Sequence, residues 1–253
     1  MSILRQELRT LAGALAFFTR LPLPASLELG APDLQRAITY FPLCGAVVGA
    51  VSGIVWWLAA LVWPPAIATG FAIVASVILT GALHEDGWAD VCDGFGGGHT
   101  KARVLEIMKD SRIGAYGVIG LVLMVGLKWQ ALAAFPATLA TPAFVAAHAL
   151  SRGLSASLMA TLDYVRPNGP SKARALIVRL QGGRLVFVVL SSLLPLLFLP
   201  PAACWTIPAL VALRLVLARW FRHRIGGYTG DCLGAAQQLG ELVCYLVLLG
   251  LPS

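Results

Sequence analysis

Charge is scarce in this 253-residue chain: 12% of its residues are Asp, Glu, Lys or Arg, where a soluble globular domain carries about 25%. A chain so poor in charge cannot cover itself with a solvated surface, so its outer face is expected to meet lipid. No long polar stretch exists from which a soluble domain could be built, and residues 1–253 read as a single membrane domain with short loops. The five cysteines, Cys44, Cys92, Cys204, Cys232 and Cys244, lie far apart. With no C-x-x-C pair and no His/Cys metal spacing, neither a disulfide framework nor a zinc site is supported. The absence of an internal repeat argues against a transporter built from inverted halves. There is no signal-peptide cleavage pattern ahead of a soluble domain, and no Walker A loop, G-x-S-x-G or H-E-x-x-H.

What the chain has instead is apolar length: 58% of its residues are hydrophobic and its mean hydropathy is +0.80. A spanning helix needs about 20 predominantly apolar residues. Seven stretches meet or approach that length: 37–63, 66–91, 113–135, 136–162, 185–203, 204–221 and 232–251. The expectation is an all-α, polytopic bundle of about seven transmembrane helices. Pro136 and Pro200-Pro201 mark tight turns between spans. The shorter run Leu11 to Phe18 is expected at the membrane surface, as an N-terminal interfacial helix.

The basic residues give an independent view of topology. Arg5, Arg9, Arg20 and Arg36 precede the first span, and Lys101, Arg103, Lys109 and Arg112 lie between the second and third. Arg166, Lys172, Arg174, Arg179 and Arg184 lie between the fourth and fifth, and Arg219, Arg222 and Arg224 between the sixth and seventh. Sixteen of the 19 basic residues thus fall on alternate loops. This sorting accounts for the net charge of +7 without any nucleic-acid partner. It predicts a cytoplasmic N-terminus, an external C-terminus, and charged clusters facing the cytoplasm from the inner membrane.

The chemical signal is His84-Glu85-Asp86-Gly87-Trp88-Ala89-Asp90-Val91-Cys92-Asp93, followed by Gly94-Phe95-Gly96-Gly97-Gly98. Continued as a helix, it puts Asp86, Asp90 and Asp93 within an arc of about 60°, with Glu85 roughly 100° from Asp86. Three carboxylates at this spacing repel one another; a hard divalent cation offsets that cost, and an all-oxygen donor set favours Mg²⁺ or Mn²⁺ over zinc. The plainer reading is a solvated acidic loop beyond an unbroken apolar helix. The glycines read equally as a flexible exit from the helix or as bare backbone for a phosphate. Lys109 and Arg112 suit a phosphate but also serve as positive-inside anchors, and Asp110 could add a metal ligand. Glu241, within the last span, must face the bundle interior, with Lys128, Arg152 and Arg214 as possible partners. His148 and Arg152, one turn apart, read as a polar lock between helices. Grouped carboxylates, a divalent metal and Arg/Lys at a membrane boundary point to phosphoryl or nucleotidyl transfer.

The sequence resembles the cobalamin synthase family, the adenosylcobinamide-GDP ribazoletransferases, nearly end to end. The blocks that carry the resemblance are Phe18-Thr19-Arg20-Leu21-Pro22-Leu23-Pro24, Tyr40-Phe41-Pro42-Leu43, residues 84–98, residues 108–117, and Gly227-Tyr228-Thr229-Gly230-Asp231 with the four residues after it. The resemblance implies a Mg²⁺-dependent transferase that joins adenosylcobinamide-GDP to α-ribazole or α-ribazole 5′-phosphate and releases GMP. It implies catalytic roles for Glu85, Asp86, Asp90 and Asp93, with Asp86, Asp90 and Asp93 on the metal. It also implies substrate contacts from Arg20, His84, Gly96, Gly97, Lys109, Asp110, Arg112 and Asp231. Asp90-x-x-Asp93-Gly94 is also similar to the opening of the CDP-alcohol phosphotransferase signature, but Phe95-Gly96-Gly97-Gly98 breaks that match. A cation transporter would need a polar path across the membrane, whereas these acids gather at one side.

Overall fold

The computed structural model describes residues 3–21, 36–166 and 179–251. Pro22, Leu23, Pro24, Lys172 and Arg174 lie outside the described residues. Within them the chain forms ten α-helices and no strand beyond an isolated bridge between Tyr164 and Tyr228. In chain order these are α1 (Ile3–Phe18), α2 (Phe41–Ala60), α3 (Pro65–Thr80), α4 (Leu83–Gly97) and α5 (Lys101–Ile107). They continue with α6 (Ala115–Ala133), α7 (Ala137–Leu158), α8 (Gly182–Leu193), α9 (Thr206–Ile225) and α10 (Gly230–Leu249). Prolines open several of them: Pro42 and Pro65 sit in the first turns of α2 and α3, where the missing N–H is harmless. Pro136 and Pro200 separate α6 from α7 and α8 from α9, as the sequence predicts.

By length and apolar composition four helical runs can cross a membrane: Ile38–Ala60, Ala115–Ala133, Pro201–Ile225 and Gly230–Leu249. A fifth counts if α3 and α4 are one broken span. The bundle is therefore polytopic, but seven spans is more than the structure supports. The stretch 136–162 becomes α7, which is enclosed by the other helices. Ala140, Ala143, Ala147, Ser151 and Ser155 are each fully buried, so α7 needs no greasy outer face. The stretch 185–203 becomes a shorter apolar helix, Gly182–Phe198. The N-terminal helix is longer than its apolar run, because α1 already begins at Ile3.

The stretch 66–91 is not continuous. Gly81 closes α3 in the left-handed conformation (φ 67°), Ala82 follows at φ 59°, and α4 leaves at 89° to α3. A glycine is suited to that closure; a left-handed alanine is not, and it marks the break as held by its surroundings. The acids therefore lie on a separate helix, not at the end of an unbroken apolar one.

Small residues bring the bundle together. Gly45, Gly49 and Gly53 recur every fourth residue on α2, and side chains there would run into the α7 backbone around Thr141, Phe144 and His148. This is the close packing that glycine permits between membrane helices. The outward faces are apolar: Val118, Ile119, Val122 and Leu123 on α6, and Val211, Leu215 and Val216 on α9, are all exposed.

Candidate active site

Helix α4 is the axis of the site, wedged between α6 and α10. Gly87 packs on the backbone of Asp231, and Gly120 packs on Cys92 and Trp88, while the Trp88 indole N–H donates to the Gly120 carbonyl at 2.9 Å. At its C-terminal end Arg224 donates to the carbonyls of Phe95 (2.5 Å) and Gly98 (2.7 Å) and lies over the Phe95 ring. A cation at the negative end of the helix stabilises it.

The structure divides the three aspartates. Asp93 is buried, and its carboxylate accepts from the backbone N–H of Gly114 at 2.7 Å and of Gly117 at 2.8 Å. It caps the N-terminus of α6, satisfying donors that the helix cannot satisfy itself. A side chain at Gly114 or Gly117 would meet that carboxylate, which explains the glycines of Gly114-Ala115-Tyr116-Gly117. Of the three aspartates expected on a metal, Asp93 thus has both carboxylate oxygens on backbone amides, and among the described residues no three His, Cys, Asp or Glu side chains are grouped to hold a metal ion. Helical periodicity does align the three, but the start of α6 occupies Asp93.

Asp86 is exposed and Asp90 half-buried, and across from them stands Asp231 at the start of α10. The like charges acting most strongly on Asp90 are those of Asp231 and Asp86, opposed by Arg166. Arg166 pairs with Asp231 at 2.9 Å, which the Thr229 hydroxyl also approaches, at 3.3 Å. The resulting face holds three carboxylates and one guanidinium, an arrangement that attracts further cationic charge.

The remaining predicted residues are spread around this face. Arg112 grips Asp110 in a fork, with Nε at 3.0 Å and Nη2 at 2.7 Å from its carboxylate oxygens. Those hydrogen bonds hold Asp110 down to about 2, so it stays ionised beside Arg112. Lys109 beside it is exposed. The glycine run is helix and packing surface rather than a flexible exit: Gly94 lies on Val104 and Met108, Gly96 on the Tyr116 ring, and Gly97 near Ile107. Arg20 sits at the break, its N–H donating to the Leu79 carbonyl and its guanidinium against Gly81. His84 is buried and stacked on Phe41, with ring centroids 5.9 Å apart, and so lies away from the surface.

Glu85 also turns inward, where its Oε1 accepts from Gln238 at 3.0 Å. Beneath it lies a buried ionic network around a small cavity lined by Glu85, Lys128, His148 and Glu241. Glu241 meets Lys128 at 2.6 Å, His148 at 2.7 Å and Arg152 at 3.6 Å, and Arg152 lies 3.0 Å from His148. Two of the three expected partners of Glu241 are therefore in place. Arg214 instead bonds Ser157 and Thr161. Sequence reasoning missed the Arg166–Asp231 pair, the Arg224 cap and the Gln238–Glu85 bond. Only Arg224 carried a signal, as part of a basic run at a helix end.

Known proteins match the chain over nearly its full length. The family described as CobS, cobalamin-5-phosphate synthase, matches residues 10–249. An adenosylcobinamide-GDP ribazoletransferase of Ralstonia nicotianae is 45% identical over 259 residues, covering 100% of this chain and 99% of that protein. One of Shewanella amazonensis is 44% identical over 259 residues with the same coverage, and one of Shewanella frigidimarina is 44% identical over 240 residues, covering 93% and 92%. No solved structure matches the chain.

Proposed function

The chain belongs to the CobS (cobalamin-5-phosphate synthase) family, with the activity of an adenosylcobinamide-GDP ribazoletransferase in cobalamin biosynthesis, and we propose that the face formed by Asp86, Asp90, Asp231 and Arg166 carries that reaction. The ribose hydroxyl of α-ribazole or α-ribazole 5′-phosphate attacks the phosphorus on the cobinamide side of the diphosphate. The bond to the bridging oxygen breaks, GMP leaves, and a carboxylate of the face takes the hydroxyl proton. The observation that carries the reading is the convergence of acids from α4 and α10 beside an arginine at the mouth of the bundle.

Mg²⁺ fits this donor set in one form. The ion is commonly held by one or two carboxylates, with water and substrate phosphates completing its shell. Asp86 and Asp90 meet that need; Asp93, with both oxygens on backbone amides, does not. A bound Mg²⁺ would neutralise charge on the diphosphate. Arg112, exposed and using one edge of its guanidinium on Asp110, keeps donors for the GMP phosphate, and Lys109 adds charge beside it.

The direct test is GMP release from adenosylcobinamide-GDP by the purified protein, with and without α-ribazole, across a Mg²⁺ series. Acceptor-dependent and Mg²⁺-dependent release is expected. Release without acceptor, or unaffected by chelation, would overturn the proposed role of the face.

We place the site on the cytoplasmic side of the inner membrane, supported by the basic residues that flank it: Lys101, Arg103, Lys109 and Arg112 ahead of α6, and Arg219, Arg222 and Arg224 at the end of α9. A reporter fused after Ser253 is expected to behave as external; a cytoplasmic signal would reverse the orientation.

A further inference from the structure

We propose that Gln238 is a positioning residue: it sets the register of α4 against α10 and so holds Asp86 and Asp90 opposite Asp231. The inference rests on the reading of that face as the active site.

The interface between α4 and α10 is close but smooth. Gly87 lies on Asp231, and Gly234 lies on His84 and Gly87. Glycines allow approach but provide no knob to stop one helix sliding past the other, and a slide of one turn is about 5.4 Å. Nor does α4 fix its own start, since Ala82 at its N-cap provides no side-chain hydrogen bond and the break is held from outside. The hydrogen bond from Gln238 to Glu85 joins the two helices at this point. Glu85 is the immediate neighbour of Asp86, and Gln238 lies seven residues, about two turns, beyond Asp231 on one face of α10. The bond therefore ties together the two elements that carry the facing acids.

The Gln238 amide is itself fixed. It is 2% exposed, and its Oε1 accepts from the Lys128 ammonium at 2.6 Å. Its Nε2 donates to Gln237 at 2.9 Å as well as to Glu85. Turning the amide over would aim its N–H groups at the ammonium and its carbonyl at the Glu85 carboxylate, so only one orientation satisfies all its partners.

Gln238→Glu places two carboxylates against each other, whereas the double variant Gln238→Glu/Glu85→Gln exchanges donor and acceptor and restores the bond between α4 and α10 and the net charge, giving up only the bond to Gln237. The first readout is Mn²⁺ affinity by electron paramagnetic resonance in the presence of GDP, on full-length protein in detergent beside a thermal melt. Residues that orient metal ligands typically change affinity about 10–100-fold when altered. The single variant is expected to bind at least about tenfold more weakly, with the exchanged pair returning to within about threefold of the wild type. Wild-type affinity in a folded Gln238→Glu protein overturns the proposal, as does an exchanged pair that melts like the wild type yet binds like the single variant. If the wild type binds no Mn²⁺ yet turns over, the metal reading fails separately. GMP release then decides: a single variant well below an exchanged pair that approaches the wild type supports the positioning role, while a single variant equal to the wild type, or an exchanged pair no better than the single variant, overturns it.

Discussion

Asp90→Asn will lower GMP release by about two to four orders of magnitude, the range over which a single group aiding proton transfer or charge neutralisation commonly acts, while the protein stays folded. Asp93→Asn will show the opposite balance. Asp90 stands among like charges from Asp231 and Asp86, so replacing its carboxylate with an amide of the same shape relieves repulsion. Its melting temperature should hold or rise. Asp93 has no such surplus: its two oxygens satisfy the N–H groups of Gly114 and Gly117 at the start of α6. An asparagine there turns an NH₂ toward one of those donors and removes a negative charge from a helix N-terminus, at a cost of about 1–2 kcal/mol. Raising Mg²⁺ should recover part of the Asp90→Asn loss if binding is the defect, and none of the Asp93→Asn instability. The comparison is made on purified variants, by GMP release across a Mg²⁺ series beside thermal melts. Full turnover in folded Asp90→Asn would remove Asp90 from the mechanism, and an Asp93→Asn protein that melts like the wild type would remove the cap.

The two aspartates show what a linear reading of the chain can and cannot reach. Periodicity alone put Asp86, Asp90 and Asp93 on one stripe, and α4 is indeed a helix through all of them. What separates them is the identity of the neighbouring element, 21 to 24 residues away in sequence, whose free amide groups claim one member of the stripe. The apolar runs likewise located the helices but not their surroundings. Residues 136–162 read as a span because alanine is apolar, yet α7 is buried in protein, where small and polar residues serve better than a lipid-facing surface. The break at Gly81-Ala82 had little to announce it, since one glycine in an apolar run is ordinary and a left-handed alanine has no sequence signature. Glu241 was legible as a residue needing a partner because ionisable groups in a membrane interior are costly. Its pairing with Lys128, 113 positions away, required the fold.

That pairing gives the second large expected effect, a loss of stability in Glu241→Leu of about 3–5 kcal/mol, the usual consequence of removing one member of a buried ion pair. Glu241 is 3% exposed; its Oε2 meets Lys128, while its Oε1 meets His148 and Arg152 and accepts from Gln237. With His148 neutral, the network balances two carboxylates, Glu85 and Glu241, against two cations, Lys128 and Arg152. Removing Glu241 leaves two buried cations against Glu85 alone. The double variant Glu241→Leu/Lys128→Met restores the balance, leaving Arg152 to face Glu85, whose charge already acts on it. Apolar replacement of a whole buried pair is often neutral or stabilising, so the double variant should melt above the Glu241→Leu single variant even though it carries one more substitution. Thermal melts of wild type, both single variants and the double variant in one detergent give the coupling directly. Additive losses would show that Glu241 and Lys128 act independently, and a Glu241→Leu protein as stable as wild type would show that the carboxylate is dispensable to the fold. A large coupling would show that Glu241 and Lys128 act as one unit, joining α10 to α6 through the interior of the bundle.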